Sequence, residues 1–200
     1  MNATLPQEMQ QHTYAIMDEV EGSHWWFVGR RAILESFLTG IAEKLRTPQS
    51  TLRILDVGCG TGANIEMLSR YGKAEGVDVS DDALEFCRKR GRKAQKGLAE
   101  TLPYADETFD LTTALDVVEH LDDDLAGLKE MYRVTKSGGY SLIFVPAFMF
   151  FGVCRTIFRT TAFGTPNHRL LNGLKRRVTR SNVRPTPIGR FSHRSSRAGR

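Results

Sequence analysis

Cysteine is scarce in this chain: Cys59, Cys87 and Cys154 are an odd number without paired or metal-type spacing. That excludes a disulfide scaffold and offers no metal-ligand pattern, so a reducing, cytoplasmic setting without a bound metal is expected. Long apolar runs are lacking too. The longest, Tyr140 to Val153, is interrupted by Pro146 and falls short of the roughly 20 residues that a membrane-spanning helix needs. The first residues, MNATLPQEMQQHTYAIMDEVEG, have no basic start followed by an apolar stretch, so they do not read as a secretory signal. No repeat with a period of about 20 to 50 residues is visible.

Acid is the most unevenly distributed residue class. Residues 1–150 hold 16 Lys and Arg and all 23 Asp and Glu, whereas residues 151–200 hold 12 Lys and Arg and no acid. The overall charge of +5 therefore describes neither part. Two hundred residues suffice for one domain with a sizeable core. The charge break suggests three segments: a helical and aromatic N-terminal part over 1–50, a core over 51–150 and a basic tail over 151–200.

What is present is a regular alternation of strand and helix signals. Met9 to Glu21 is polar and reads as a helical entry. After the aromatic run His24-Trp25-Trp26-Phe27, the apolar residues Ile33, Leu34, Phe37, Leu38, Ile41 and Leu45 recur at helical spacing, predicting an amphipathic helix over 31–45 that ends before Pro48. Arg53 to Val57 predicts a strand, Ala63 to Arg70 a helix and Ala74 to Val79 a second strand. Ser80 is placed to cap the next helix, with Asp81 and Asp82 in its first turn, Arg88, Lys89 and Arg90 in its last, and Gly91 closing it. Further strands are expected at Lys93 to Gly97, Phe109 to Leu115 and Tyr140 to Val145, with a helix over 122–134. Such alternation implies a parallel sheet covered by helices on both faces, with ligands bound beyond the carboxyl ends of its strands.

The chemistry concentrates at those ends. Gly58, Gly60 and Gly62 in Asp56-Val57-Gly58-Cys59-Gly60-Thr61-Gly62 permit a sharp turn and a close ligand approach. Their spacing is G-x-G-x-G, not the G-x-G-x-x-G of dinucleotide sites. Asp56, just before the loop, would repel a pyrophosphate but attract an ammonium, directly or through water. Asp78 ends the second strand 22 residues later, where an acid can accept hydrogen bonds from both hydroxyls of a ribose. The bland alternatives are a tight turn for the loop and a surface acid or helix cap for Asp78.

Taken together, DVGCGTG, GVDVS, AETLPYADETFDLTTALDVVEHL and KEMYRVTKSGGYSLIFVPA resemble, in order and spacing, the class I S-adenosylmethionine-dependent methyltransferases. The resemblance covers about residues 20–147. It implies a Rossmann-like, doubly wound, mostly parallel sheet and S-adenosylmethionine as cofactor. It further implies that the glycine loop, with Cys59, holds the methionyl part, that Asp78 and Val79 hold the ribose, and that Ala99, Glu100 and Leu115 line the rest of the cofactor site. Family members usually carry Asp where this chain has Leu98, so backbone amides would have to serve the adenine amino group there.

Two further sites follow. Gly22-Ser23-His24-Trp25-Trp26-Phe27-Val28-Gly29-Arg30-Arg31 is similar to an H-W-W-F-x-x-R segment that precedes this domain in a bacterial subset accompanying sugar and lipid biosynthesis. His24, Trp25 and Trp26 are lid candidates, because an aromatic face attracts a sulfonium. The other reading is that the aromatics staple the N-terminal helix to the sheet. Asp116, Glu119 and His120 follow the fourth strand, where the family's reacting methyl group lies. His120 could take a proton from a hydroxyl or amine acceptor, or Glu119 and His120 could merely cap the neighbouring helix.

The resemblance stops near Ala147, where such sheets gain a helix and two antiparallel strands; here the sheet is expected to lack its last two strands. Average composition would give about six acids in the final fifty residues. Their absence fits a basic disordered tail, an alternative folded end or a frame-shifted end, the last being favoured. The function expected is methyl transfer to a small molecule such as a sugar or lipid intermediate. Its rivals are a cofactor-binding remnant without a complete acceptor site and a nucleic-acid or membrane binder using the tail, although no reading module for specific nucleic-acid recognition accompanies the charge.

Overall fold

The computed structural model describes residues 11–46, 50–146 and 153–159. Two helices, α1 (Gln11–Val20) and α2 (Trp25–Leu45), precede the alternating core. That core runs β1 (Arg53–Val57), α3 (Ala63–Leu68), β2 (Lys73–Asp78), α4 (Asp81–Lys89), β3 (Ala94–Lys96), β4 (Phe109–Leu115), a 3-10 turn at Val118–His120, α5 (Asp124–Val134), β5 (Thr135–Pro146) and β6 (Val153–Arg159). The sheet order is β3-β2-β1-β4-β5-β6. The first five strands are parallel, and the chain reverses direction across the sheet at β1 and β4, which places a crevice beyond their carboxyl ends.

Apolar runs fix the strands because both faces of a parallel sheet are covered. Ile54, Leu55 and Val57 of β1 are all buried. On one face Val77, Phe109, Leu128, Met131 and Ile143 form a core with α5, and on the other Leu34, Leu38 and Ile41 of α2 meet Ile54, Leu111, Leu142 and Phe144. Ser80 caps α4 by accepting a hydrogen bond from the Ala83 N–H at 3.4 Å, as its position predicts. Gly91 has φ +64°, the left-handed geometry that closes a helix.

Three boundaries differ from the sequence reading. First, α2 starts at Trp25 rather than Arg31: His24 takes the extended N-cap geometry, and its side chain accepts from the Trp26 N–H. Second, β5 starts at Thr135, and a register shift between Phe109 and Leu111 absorbs the irregular Lys136-Ser137-Gly138-Gly139 stretch. Third, the sheet does not stop at its fifth strand. Antiparallel β6 pairs with β5 from Tyr140↔Arg159 to Pro146↔Val153, in the first residues of the segment expected to be a tail. The reason is local: Val153, Thr156, Ile157 and Phe158 are strong strand formers, and β5 otherwise presents an open edge. The rest of the tail reading, from 160 onward, lies outside the described residues. No helix among the described residues is long and apolar enough to cross a membrane.

Candidate functional site

A cavity of about 810 Å³ opens at the carboxyl ends of β1, β2 and β4, roofed by α1 and α2. Its floor is the glycine loop between β1 and α3. Gly58, Gly60 and Gly62 all adopt positive φ, at 69°, 53° and 85°. Backbone N–H groups of Gly58 and Cys59 donate to the Val77 carbonyl at 2.8 and 3.1 Å, folding the loop across β2. A Cβ at Gly58 would come within 2.4 Å of the Val117 side chain, whereas a Cβ at Gly60 would meet nothing within 4 Å. Gly58 is thus required by packing, and Gly60 leaves space for something outside the chain.

Asp78 ties this floor together. Its Oδ2 accepts the Gly60 N–H at 2.8 Å and its Oδ1 the Ser80 N–H at 3.0 Å. Burial pushes its carboxyl above the ordinary range, and the backbone donors partly offset that. One carboxylate therefore sets the loop against the first turn of α4 and still faces the cavity.

Asp56 sits deeper. It is 1% exposed, accepts the Thr113 hydroxyl at 2.7 Å through Oδ1, and keeps Oδ2 without a hydrogen-bond partner. Burial raises its pKa to about 7, with the Thr113 hydrogen bond and the Arg30 charge opposing. It lies behind the wall rather than on it. Gly62 likewise stands off the wall, at the N-cap of α3.

The other sequence candidates divide. Gly58, Cys59, Gly60, Asp78, Val79, Ala99, Glu100, Leu115 and His120 line the cavity together. His24, Trp25 and Trp26 do not: Trp25 is 74% and Trp26 40% exposed. These three residues therefore stand outside the cavity lining, at the exposed start of α2. Trp26 stands one turn before Arg30 on the same side of α2, in the exposed first turn of the helix, while Phe27 and Arg30 line the cavity.

Arg30 is the most consequential residue outside that set. It forms an ion pair with Asp116, and its Nη2 donates to Asn64 Oδ1 at 3.5 Å. Its side chain is only 10% exposed, and burial lowers its pKa. Asp116 itself has φ +61° immediately after β4. Glu21, just before α2, is buried, accepts the Thr61 hydroxyl of the glycine loop and pairs with Arg90 at 2.7 Å. Sequence spacing could not reveal these long-range pairs, although Arg30 ends the aromatic segment that drew attention to the region.

The charged lining decides which ligand fits. Glu21, Asp78, Glu100, Asp116 and Asp122 contribute carboxylates, and Arg30 is the only Lys or Arg among the described lining residues. Such a wall disfavours a pyrophosphate and suits a cationic molecule. The open space at Gly60 fits the same conclusion. S-adenosylmethionine, with its sulfonium and ammonium, meets these conditions.

Comparison with known proteins agrees. Residues 55–143 match the family model described as a methyltransferase domain. A demethylmenaquinone methyltransferase of Chlorobaculum parvum is 35% identical over 98 residues, which cover 47% of this chain and 41% of that protein. A ubiquinone biosynthesis O-methyltransferase of Parvibaculum lavamentivorans is 36% identical over 114 residues, covering 52% and 44%. The chain thus spans less than half the length of these relatives. Among solved structures, a candidate S-adenosyl-L-methionine-dependent methyltransferase of Methanococcus maripaludis superposes with a TM-score of 0.57 at 19% identity, covering 91% of this chain and 76% of that one, a likeness of fold alone. With the glycine loop, the strand-end acids and the sheet order already in place, residues 55–143 are similar in sequence to the methyltransferase-domain family.

Proposed function

We propose that the chain binds S-adenosylmethionine in this cavity and transfers its methyl group to a small molecule, such as a sugar or lipid intermediate. The observation that carries the reading is the carboxylate-rich wall around a glycine loop whose middle glycine faces open space. When bound, the donor supplies a methyl carbon already activated by its sulfonium.

The work left to the chain is then alignment, water exclusion and, for a hydroxyl or amine acceptor, proton removal. Gly58, Cys59 and Gly60 would hold the methionyl part, with Asp56 and Gly62 supporting the loop from behind the wall. Asp78 and Val79 would take the ribose, and Ala99, Glu100 and Leu115 the base and its surroundings. His120, exposed and lining the cavity as Asp116 does, is the assigned proton acceptor. Phe27 and Arg30, rather than the two tryptophans, would roof the reacting atoms.

Calorimetric titration of S-adenosylmethionine, S-adenosylhomocysteine and NAD tests this. The first two are expected to bind and NAD is not, and Asp78→Ala should weaken donor binding by about 1.5 to 3 kcal/mol through loss of charge-assisted hydrogen bonds. NAD binding as tight as the methyl donor, or an unchanged affinity in the Asp78 variant, would remove the reading. Donor binding without turnover on any hydroxyl or amine acceptor would favour the alternative, a cofactor-binding remnant without a complete acceptor site.

A further inference from the structure

The mechanism above leaves one pair of nucleophiles unused. Cys59, in the glycine loop, and Cys87, on α4, are 28 residues apart in sequence, yet their sulfurs lie 3.9 Å apart. Both are buried. Cys59 borders the cavity, and the Cys87 thiol donates to the Gly60 carbonyl at 3.2 Å, so both touch the loop that the donor would occupy. Beneath them Gly76 of β2 leaves the necessary room: a Cβ there would come within 2.5 Å of the Cys59 sulfur. Ile65, Ala74 and Ala94 pack in the same apolar cluster.

We propose that Cys59 and Cys87 are a reversible oxidation site, closing to a disulfide in the presence of a hydroperoxide and reshaping the cofactor loop. Sulfurs in van der Waals contact need only side-chain rotation and a small loop shift to reach bonding distance, about 2.05 Å. The balance is simple. Hydrogen peroxide transfers one oxygen to the Cys59 sulfur, giving a sulfenic acid and one water. The Cys87 thiol then attacks that sulfur, the S–O bond breaks, and the oxygen leaves as a second water. Two thiols are oxidised by two electrons and one peroxide is reduced.

The order of events follows from position. Only a small oxidant can reach Cys59, which is 4% exposed, and the route runs through the cavity. The contact with Cys59 draws Cys87 below its ordinary range, which favours it as the attacking sulfur, while the same contact and burial hold Cys59 up. Oxidation should therefore be slow beside that of an open thiol. Bonding Cys87 to Cys59 withdraws its hydrogen from the Gly60 carbonyl and pulls the loop toward α4, away from the geometry in which Gly60 meets Asp78. The predicted consequence, weaker donor binding, rests on the proposed function, but the disulfide itself does not.

The test is made on the full chain, reduced and then exposed to hydrogen peroxide with and without S-adenosylhomocysteine. It is digested under non-reducing conditions and read by mass spectrometry. A peptide joining Cys59 to Cys87, lighter by two hydrogens than its separate halves and released by dithiothreitol, is expected. It should be missing in Cys87→Ser, whose fold is checked by circular dichroism. Recovery of Cys59 and Cys87 as separate free thiols or separate sulfinic acids, while Cys154 oxidises, overturns the proposal. A cross-link that forms equally fast with and without S-adenosylhomocysteine keeps the disulfide and counts against the donor's place in the cavity, so the two readings fail separately.

Discussion

The two halves of α2 do opposite things. Its second half is an apolar stripe: Leu34, Leu38, Ile41 and Ala42 are buried against Ile54, Leu111, Leu142 and Phe144. Its first half lies over the cavity, exposes Trp25 and Trp26, and is tied down by the Arg30–Asp116 ion pair and the Glu21 contacts just before it. One helix is thus anchored by non-directional burial at one end and by directional polar contacts at the other. Burial is hard to undo locally, whereas a polar clasp can open without exposing core. The start of the roof is therefore held by paired charges and its end by the core.

Substitutions can break or sharpen this contrast. Leu34→Ala, in a fully buried position, should lower unfolding stability by about 3 kcal/mol while leaving donor affinity intact in the folded protein. Urea denaturation and calorimetry read the two quantities separately, and a matching loss of affinity would mean that the two halves are coupled. A smaller effect is expected at the cavity floor. Burial lifts the Asp56 pKa from 3.8 to about 7, so across that interval the native state keeps a proton that the unfolded chain has released. Stability contributed by this group is present at low pH and is lost as pH rises towards 7. Asp56→Asn should flatten that decline, gaining about 1 to 2 kcal/mol at pH 8 while weakening donor binding. A stability profile as steep as the parent's would show that another group titrates. The smallest change belongs to the helix start, where Trp25→Ala should alter stability by less than about 0.5 kcal/mol. If Trp25 emission nevertheless shifts to the blue when donor is added, the first half of α2 moves far enough to bury it.

Much of the fold was legible because its signals are local. The bounds of β1 and β4, the Ser80 cap and the glycine turn each depend on residues within a few positions. Strand ends in a parallel sheet also fall at one edge, so Gly58, Asp78 and His120 could be assigned to one site before their distances were known. Partnerships across the fold were not legible. Nothing near Arg30 in sequence announces Asp116, and nothing near Glu21 announces Thr61. Trp25 and Trp26 were read as a lid or a staple, and they stand exposed in the first turn of α2, outside the cavity lining. Strand β6 was missed for a different reason: the charge of the whole terminal segment outweighed seven residues with good strand propensity.

The left-handed backbone at Asp116 narrows what evolution can place there. At φ +61° glycine, asparagine and aspartate are the residues that tolerate the conformation most readily. Pairing with a buried guanidinium then asks for a negative charge, which glycine and asparagine lack. Backbone and partner each admit a short alphabet, and the two alphabets share one letter. Drift at position 116 would therefore have to begin at position 30, on a different helix, making the roof and the strand end a single heritable unit.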